Sequence, residues 1–290
     1  MARLLPRRAV SERTLPIIRY LTGLLARRQP DDVEIHTVGD VTVRLHRPPA
    51  GTTGPHPAIL WIHGGGFVIG TAAQDDGTCR RLARKHDAVV AAVEYRLAPE
   101  HRFPVPLDDC HDALVWLAAR DDVDAGRVAI AGASAGGGLA AGLALLARDR
   151  GEVRPVAQVL AYPMLDDRTV LRDDIDQRYL RLWDSRSNRF GWSSYTGLAA
   201  GSRGISELAA PARCEDLTGL PPAWIGVGTL DLFHDEDVAY AQRLRDAGVD
   251  CDLQIVNGAF HGFDGVRPGS RVSRSFLAGQ DAALAAALAR

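Results

Sequence analysis

Ser134 stands in a stretch, RVAIAGASAGGGLAAGLALLA from Arg127 to Ala147, where nearly every close neighbour is glycine or alanine. Gly132-x-Ser134-x-Gly136 is the spacing of a nucleophile elbow, a strained strand-to-helix turn that needs small residues two before and two after the serine. Val128, Ala129 and Ile130 read as a short buried strand, and Leu139, Leu143 and Leu146 recur at helical spacing. The serine would therefore sit at a helix N-terminus, where backbone N–H groups face a developing negative charge. Glycine also serves close packing at such turns, and serine is a common N-cap. The elbow alone leaves that plainer reading open; its partners decide.

A serine hydroxyl needs a base to take its proton and an acid to orient that base. Nine histidines are available. His261 lies in the glycine-flanked loop NGAFHGFDG after the last predicted strand and is the expected base, with His234 as its rival. His36 and His46 fall in a predicted antiparallel edge, and His86 and His111 in predicted helices; these are taken as structural. The acid should lie between serine and histidine in the chain. VGTLDLFHDED supplies Asp231 just past a strand, whereas Asp235 and Glu236 read as first-turn acids favoured by the helix dipole. An oxyanion hole is expected from Gly64, Gly65 and Gly66, in His63-Gly64-Gly65-Gly66-Phe67 after a strand, completed by the N–H of Ala135. His63 is expected to be a structural hydrogen-bonding residue.

These residues require a scaffold. A chain of 290 residues has ample length for a buried core. AILWI, AVVAAVEY, RVAIA, VAQVL, AWIGVG and CDLQIV are short apolar runs suited to a parallel sheet covered on both faces. Helical patterns near 74–86, 106–120, 135–149, 235–247 and 270–289 follow or separate them, which predicts an α/β, mostly parallel, doubly wound sheet with ligands at the strand carboxyl ends. DDVEIHTV and VTVRLHRP alternate like an antiparallel edge turning at Gly39-Asp40. Between about 166 and 208 no strand is evident. This insertion carries Trp183, Phe190, Trp192 and Tyr195, rings that would shorten a substrate pocket.

The formal charge of −2 argues against a general nucleic-acid-binding surface. Four scattered cysteines, Cys79, Cys110, Cys214 and Cys251, form no metal-ligand pattern and read as reduced thiols of a cytoplasmic protein. The arginine-rich first thirty residues resemble an organellar transit peptide in composition. The preferred reading is an amphipathic helix whose face of Ile17, Leu21, Leu24 and Leu25 packs on the body of the protein.

HGGGF, YRLAPEHRFP (Tyr95 to Pro104), GASAGG, LDLFHDE and FHGF occur in the order found in the bacterial hormone-sensitive-lipase-like family of α/β-hydrolases, which the chain resembles from about residue 57 to its C-terminus. The resemblance implies a single α/β-hydrolase domain over 1–290 with a helical cap built from about 1–30 and about 166–208. It implies a serine carboxylesterase with Ser134 as nucleophile, His261 as base then acid, and Asp231 as orienter. Its partner would be a small ester of short to medium acyl chain, with no metal, cofactor, nucleic acid or stable membrane anchor, and a homodimer is compatible with it. The family usually has aspartate or threonine where Ala133 stands. YRLAPEHRFP is expected to form a rigid extended loop. Amide or lactone hydrolysis, or acyl transfer to an alcohol, would use the same residues; a non-catalytic ligand-binding relative would be expected to lack one of them.

Overall fold

A computed structural model describes residues 10–27, 30–49, 51 and 54–289. Eight strands form one sheet: β1 (Val33–Val38), β2 (Val41–His46), β3 (His56–Ile62), β4 (Val89–Glu94), β5 (Val123–Ala133), β6 (Ala157–Ala161), β7 (Ala223–Gly228) and β8 (Cys251–Val256). Their order is β1-β2-β4-β3-β5-β6-β7-β8. β2 pairs antiparallel with both β1 and β4, and every pairing from β4 to β8 is parallel. The helices are α1 (Leu15–Ala26), α2 (Asp76–His86), α3 (Val105–Ala118), α4 (Ala135–Arg150), α5 (Ser185–Thr196), α6 (His234–Asp246), the short α7 (Phe263–Val266) and α8 (Arg271–Leu288).

Period-two alternation along the strands sends side chains into two cores. Leu60 and Ile62 of β3 join Val89 and Val93 of β4 in the core shared with Leu114 of α3, Leu139 and Leu143 of α4 and Leu244 of α6. Ile59 and Trp61 point the other way, to Leu82 of α2 and Phe276 and Leu284 of α8. Both faces of the central strands are thus covered, which is why they read as near-continuous apolar runs. Because β3 to β8 run parallel, their carboxyl ends share one edge of the sheet. The peptides that leave β3, β5, β7 and β8 at that edge carry the glycine triplet, Ser134, Asp231 and His261.

Two expectations are corrected. Helix α1 forms, but Ile17, Leu21 and Leu24 are 64, 56 and 44 % exposed. The packed side is instead Leu15 with Ile18 and Arg19. Arg19 donates to the carbonyls of Val68 (2.7 Å) and Ala98 and pairs with both carboxylate oxygens of Glu100. LPIIRYLTGLLA is apolar on more than one side, and the long-range bonds of its arginine set the rotation. The side chain of Leu25, the first nine residues and residues 28–29 of the transit-peptide-like segment lie outside the described part. The Tyr95–Pro104 segment is a series of turns rather than an extended loop. His101 N–H bonds back to Leu97 O and Val105 N–H to Arg102 O, while Ala98 N–H donates to Phe67 O and Phe103 N–H to Tyr195 O. Restriction before proline shapes single residues; these bonds shape the segment.

The insertion between β6 and β7 holds α5 and a 3₁₀ turn at Asp167–Leu171. Among the described residues no helix is long and apolar enough to cross a membrane, and no cluster of His, Cys, Asp and Glu could hold a metal ion.

Candidate active site

Ser134 adopts φ 57° and ψ −124° between β5 and α4, a left-handed conformation that costs a non-glycine residue on the order of 1–3 kcal/mol. The surroundings over-determine it. Ser134 N–H donates to Ala161 O (2.9 Å), while Ser134 O accepts from Gly138 N–H and Met164 N–H, each at 3.0 Å. A Cβ on Gly132 would lie 2.3 Å from Gly136 O, and one on Gly136 would lie 2.1 Å from Ile62 O. Strand, turn and helix therefore approach one another more closely than any side chain allows, which is the physical content of the G-x-S-x-G spacing.

The structure brings Ser134, His261 and Asp231 together. His261 Nε2 lies 2.9 Å from Ser134 Oγ, and His261 Nδ1 lies 2.9 Å from Asp231 Oδ2. A carboxylate only accepts, so Nδ1 carries the proton and Nε2 is left to accept from the serine hydroxyl. Asp231 Oδ1 accepts from Phe233 N–H at 3.0 Å, which fixes the carboxylate. All three residues are buried, so their interactions are little screened.

His234 does not reach the serine bond chain. It opens α6 and bonds Asp235 through Nδ1 at 2.7 Å. Asp235 is also engaged by Arg172, and its pKa is lowered first by the His234 hydrogen bond and then by that from Arg172. His63 is fully buried, stacked on Tyr95 at 4.2 Å, with Nδ1 on Gly64 O at 2.9 Å. Tyr95 in turn donates to His63 O. His63 thus holds the glycine loop. His36 and His46 lie on β1 and β2, His86 at the end of α2 and His111 on α3.

The glycine loop passes beside the nucleophile. A Cβ on Gly64 would stand 3.2 Å from Ser134 Cβ. Gly65 and Gly66 have φ of +138° and +58°, so the backbone turns there as few other residues could. Ala135 begins α4 and is completely buried. Above Gly66 lies the indole of Trp183, whose ring would be 1.9 Å from a Cβ at that position. Trp183 Nε1 is held by Asn188 Oδ1. Of the other insertion rings, Trp192 and Tyr195 are buried behind the loop against Phe67, Tyr195 stacking on it at 4.1 Å. They brace the loop, and Trp183 is packed directly on Gly66.

Sequence reasoning missed two rings, and it read Glu236 as a first-turn acid without its inward burial. Tyr162 and Phe233 present edge contacts to the His261 imidazole at 4.9 and 5.2 Å between centroids. Tyr162 OH donates to Asp264 Oδ1. Tyr162 lies just past the end of β6, at the edge where ligands bind in such sheets, and that position was the available signal. Glu236 is buried, and burial pushes its pKa up to about 8 against the opposing pull of its hydrogen bonds from Thr169, Leu165 and Asp166. Its i+5 spacing from Asp231 carried no signal.

A family model described as the alpha/beta hydrolase fold matches residues 59–265. Esterase LipI of Mycobacterium tuberculosis is 36 % identical over 262 residues, covering 82 % of this chain and 78 % of its own. Ethyl acetate hydrolase of Pseudomonas putida is 35 % identical over 240 residues, with coverages of 80 and 74 %. Among solved structures, that of a bacterial heroin esterase aligns with a TM-score of 0.88 at 39 % identity, covering 98 % of this chain and 95 % of the other.

Proposed function

Because this chain belongs to the hormone-sensitive-lipase-like family of α/β-hydrolases and is a carboxylic ester hydrolase, we propose that Ser134, His261 and Asp231 are its catalytic residues and that short- to medium-chain esters are its substrates. The observation that carries the site assignment is the unbroken pair of 2.9 Å bonds from Ser134 through His261 to Asp231. Ser134 Oγ attacks the ester carbonyl while His261 Nε2 takes its proton, and Asp231 stabilises the resulting imidazolium. The tetrahedral oxyanion is held by N–H groups of Gly64–Gly66 and Ala135, at the N-terminus of α4. His261 then protonates the leaving alcohol. Water, deprotonated by His261, hydrolyses the acyl-enzyme.

The N-terminal segment and the 166–208 insertion form the cap of this site. Ser187 Oγ donates to Val10 O, joining the two segments, and Arg19 reaches Val68 beside the glycine loop. The chain-length assignment rests on Trp183, which occupies the space above Gly66, and draws support from a relative named for hydrolysing ethyl acetate. The four cysteines are free, which supports a cytoplasmic location.

The test uses p-nitrophenyl esters from acetate to palmitate and a fluorophosphonate label. The wild type should label at Ser134 and prefer esters shorter than laurate, and Trp183→Ala should move the preference to longer chains. A wild-type optimum at laurate or beyond removes the chain-length assignment, and labelling that persists in Ser134→Ala removes the nucleophile.

A further inference from the structure

We propose that Glu236 is a positioning residue for ester hydrolysis, clamping the backbone that supports the nucleophile elbow to the helix that follows the catalytic acid. The inference rests on the assignment of Ser134, His261 and Asp231 above.

Its geometry is specific. Glu236 Oε1 accepts from Leu165 N–H at 2.7 Å and Asp166 N–H at 3.1 Å, and Oε2 is bonded by Thr169 Oγ1. These partners belong to the peptide that leaves β6. The preceding residue in that peptide, Met164, donates its N–H to Ser134 O. Pro163 and Met164 also line the first turn of α4: a Cβ on Gly137 or Gly138 would meet Pro163 Cβ at 2.9 Å or Met164 O at 2.1 Å. On its other side Glu236 belongs to the first turn of α6. Phe233, just before that helix, holds Asp231 Oδ1 through its N–H and the His261 ring through its edge.

One side chain therefore links the nucleophile's support to the support of the acid and base. The same bonds fix the first residues of the insertion, since the Asp167–Leu171 turn begins beside them. Burial is costly for a carboxylate, and it pushes the pKa of Glu236 up to about 8, so the group is mainly a neutral acid near neutral pH. A protonated carboxyl can keep Oε1 as acceptor for both peptide N–H groups while its other oxygen stays bonded to Thr169 Oγ1. Glutamine reproduces that pattern; leucine fills the space and removes it.

Three variants test the assignment: Glu236→Gln, Glu236→Leu and Thr169→Val. The readouts are kcat and KM on a short p-nitrophenyl ester and the rate of Ser134 phosphonylation by a fluorophosphonate, at temperatures where circular dichroism shows each variant folded. Glu236→Gln should stay within about threefold of wild type, whereas Glu236→Leu should lose about 10- to 100-fold in kcat with little change in KM. Its phosphonylation rate should fall in parallel. Thr169→Val, which removes one bond of the three, should lie between them and supplies the test if Glu236→Leu does not fold. Unchanged phosphonylation in folded Glu236→Leu or Thr169→Val overturns the positioning role, even if both melt earlier, because a purely structural contact would lower stability without slowing the folded site. Equal losses in the Gln and Leu variants overturn it as well. A wild type that resists the reagent defeats the parent assignment of Ser134, and the inference with it.

Discussion

Asp231, Asp235 and Glu236 occupy one short loop and the helix turn after it, yet each carboxyl faces a different partner. Asp231 meets His261, Asp235 meets Arg172 and His234, and Glu236 meets the peptide after β6. Successive residues in a helix turn by about 100°, so neighbours in sequence diverge in space. That divergence separates the two candidate bases. His261→Ala is expected to approach the loss of Ser134→Ala, on the order of 10⁶-fold in a comparable serine hydrolase, whereas His234→Ala should leave kcat nearly unchanged. Steady-state hydrolysis of p-nitrophenyl butyrate decides; a larger loss at His234 would mean that the proton leaves by another path.

Helix α1 shows how an element can be legible while its orientation is not. Apolar periodicity announced a helix, but the buried face was decided by Arg19 reaching carbonyls some fifty and eighty residues away in the chain. If this helix belongs to the cap, deleting residues 1–27 should spare the sheet, whose first strand begins at Val33, and should free Val68 O and Ala98 O beside the glycine loop. The expected result is a folded enzyme with kcat/KM lower by about tenfold, or ~1.4 kcal/mol of transition-state stabilisation. Kinetics of the two proteins side by side measure it, and equal kcat/KM removes the helix from the cap.

At the scale of the whole molecule, two buried groups shape stability against pH in opposite senses. Burial, helped by Arg80 and Arg44, lowers the pKa of His46 to about 4 despite the attraction of Asp76 and Asp32. The unfolded chain takes up that proton first, so stability is lost as pH falls from 6.5 toward 4. Glu236, its pKa held up by burial, keeps its proton in the folded state up to about pH 8, whereas the unfolded value is 4.5. Its contribution is therefore present below 4.5 and declines as pH rises to about 8. Each slope is about 1.4 kcal/mol per pH unit, so the two oppose one another between 4.5 and 6.5, and of the two only Glu236 titrates above. Between pH 6.5 and 8, Glu236→Gln should gain about 2 kcal/mol on wild type. Urea unfolding at the two pH values checks this, and parallel behaviour of the two proteins would show that Glu236 does not titrate there.

What the sequence determined by itself was local or periodic. The apolar runs specified a two-sided parallel sheet because strands covered on both faces bury both alternating sets of side chains, which favours apolar residues throughout. The glycines flanking Ser134 specified the elbow because no Cβ fits where β5, α4 and the end of β3 converge. Chain order selected Asp231 and His261 as partners, each a short loop past a strand. The tertiary structure decided what depends on direction across long separations in the chain. It turned α1 by its arginine, placed Trp183 over Gly66 while burying Trp192 and Tyr195 behind Phe67, and aimed Glu236 inward at the support of the elbow. Periodicity tells which residues share a face, and only the packed neighbours, with their unpaired backbone groups and available space, determine where that face points.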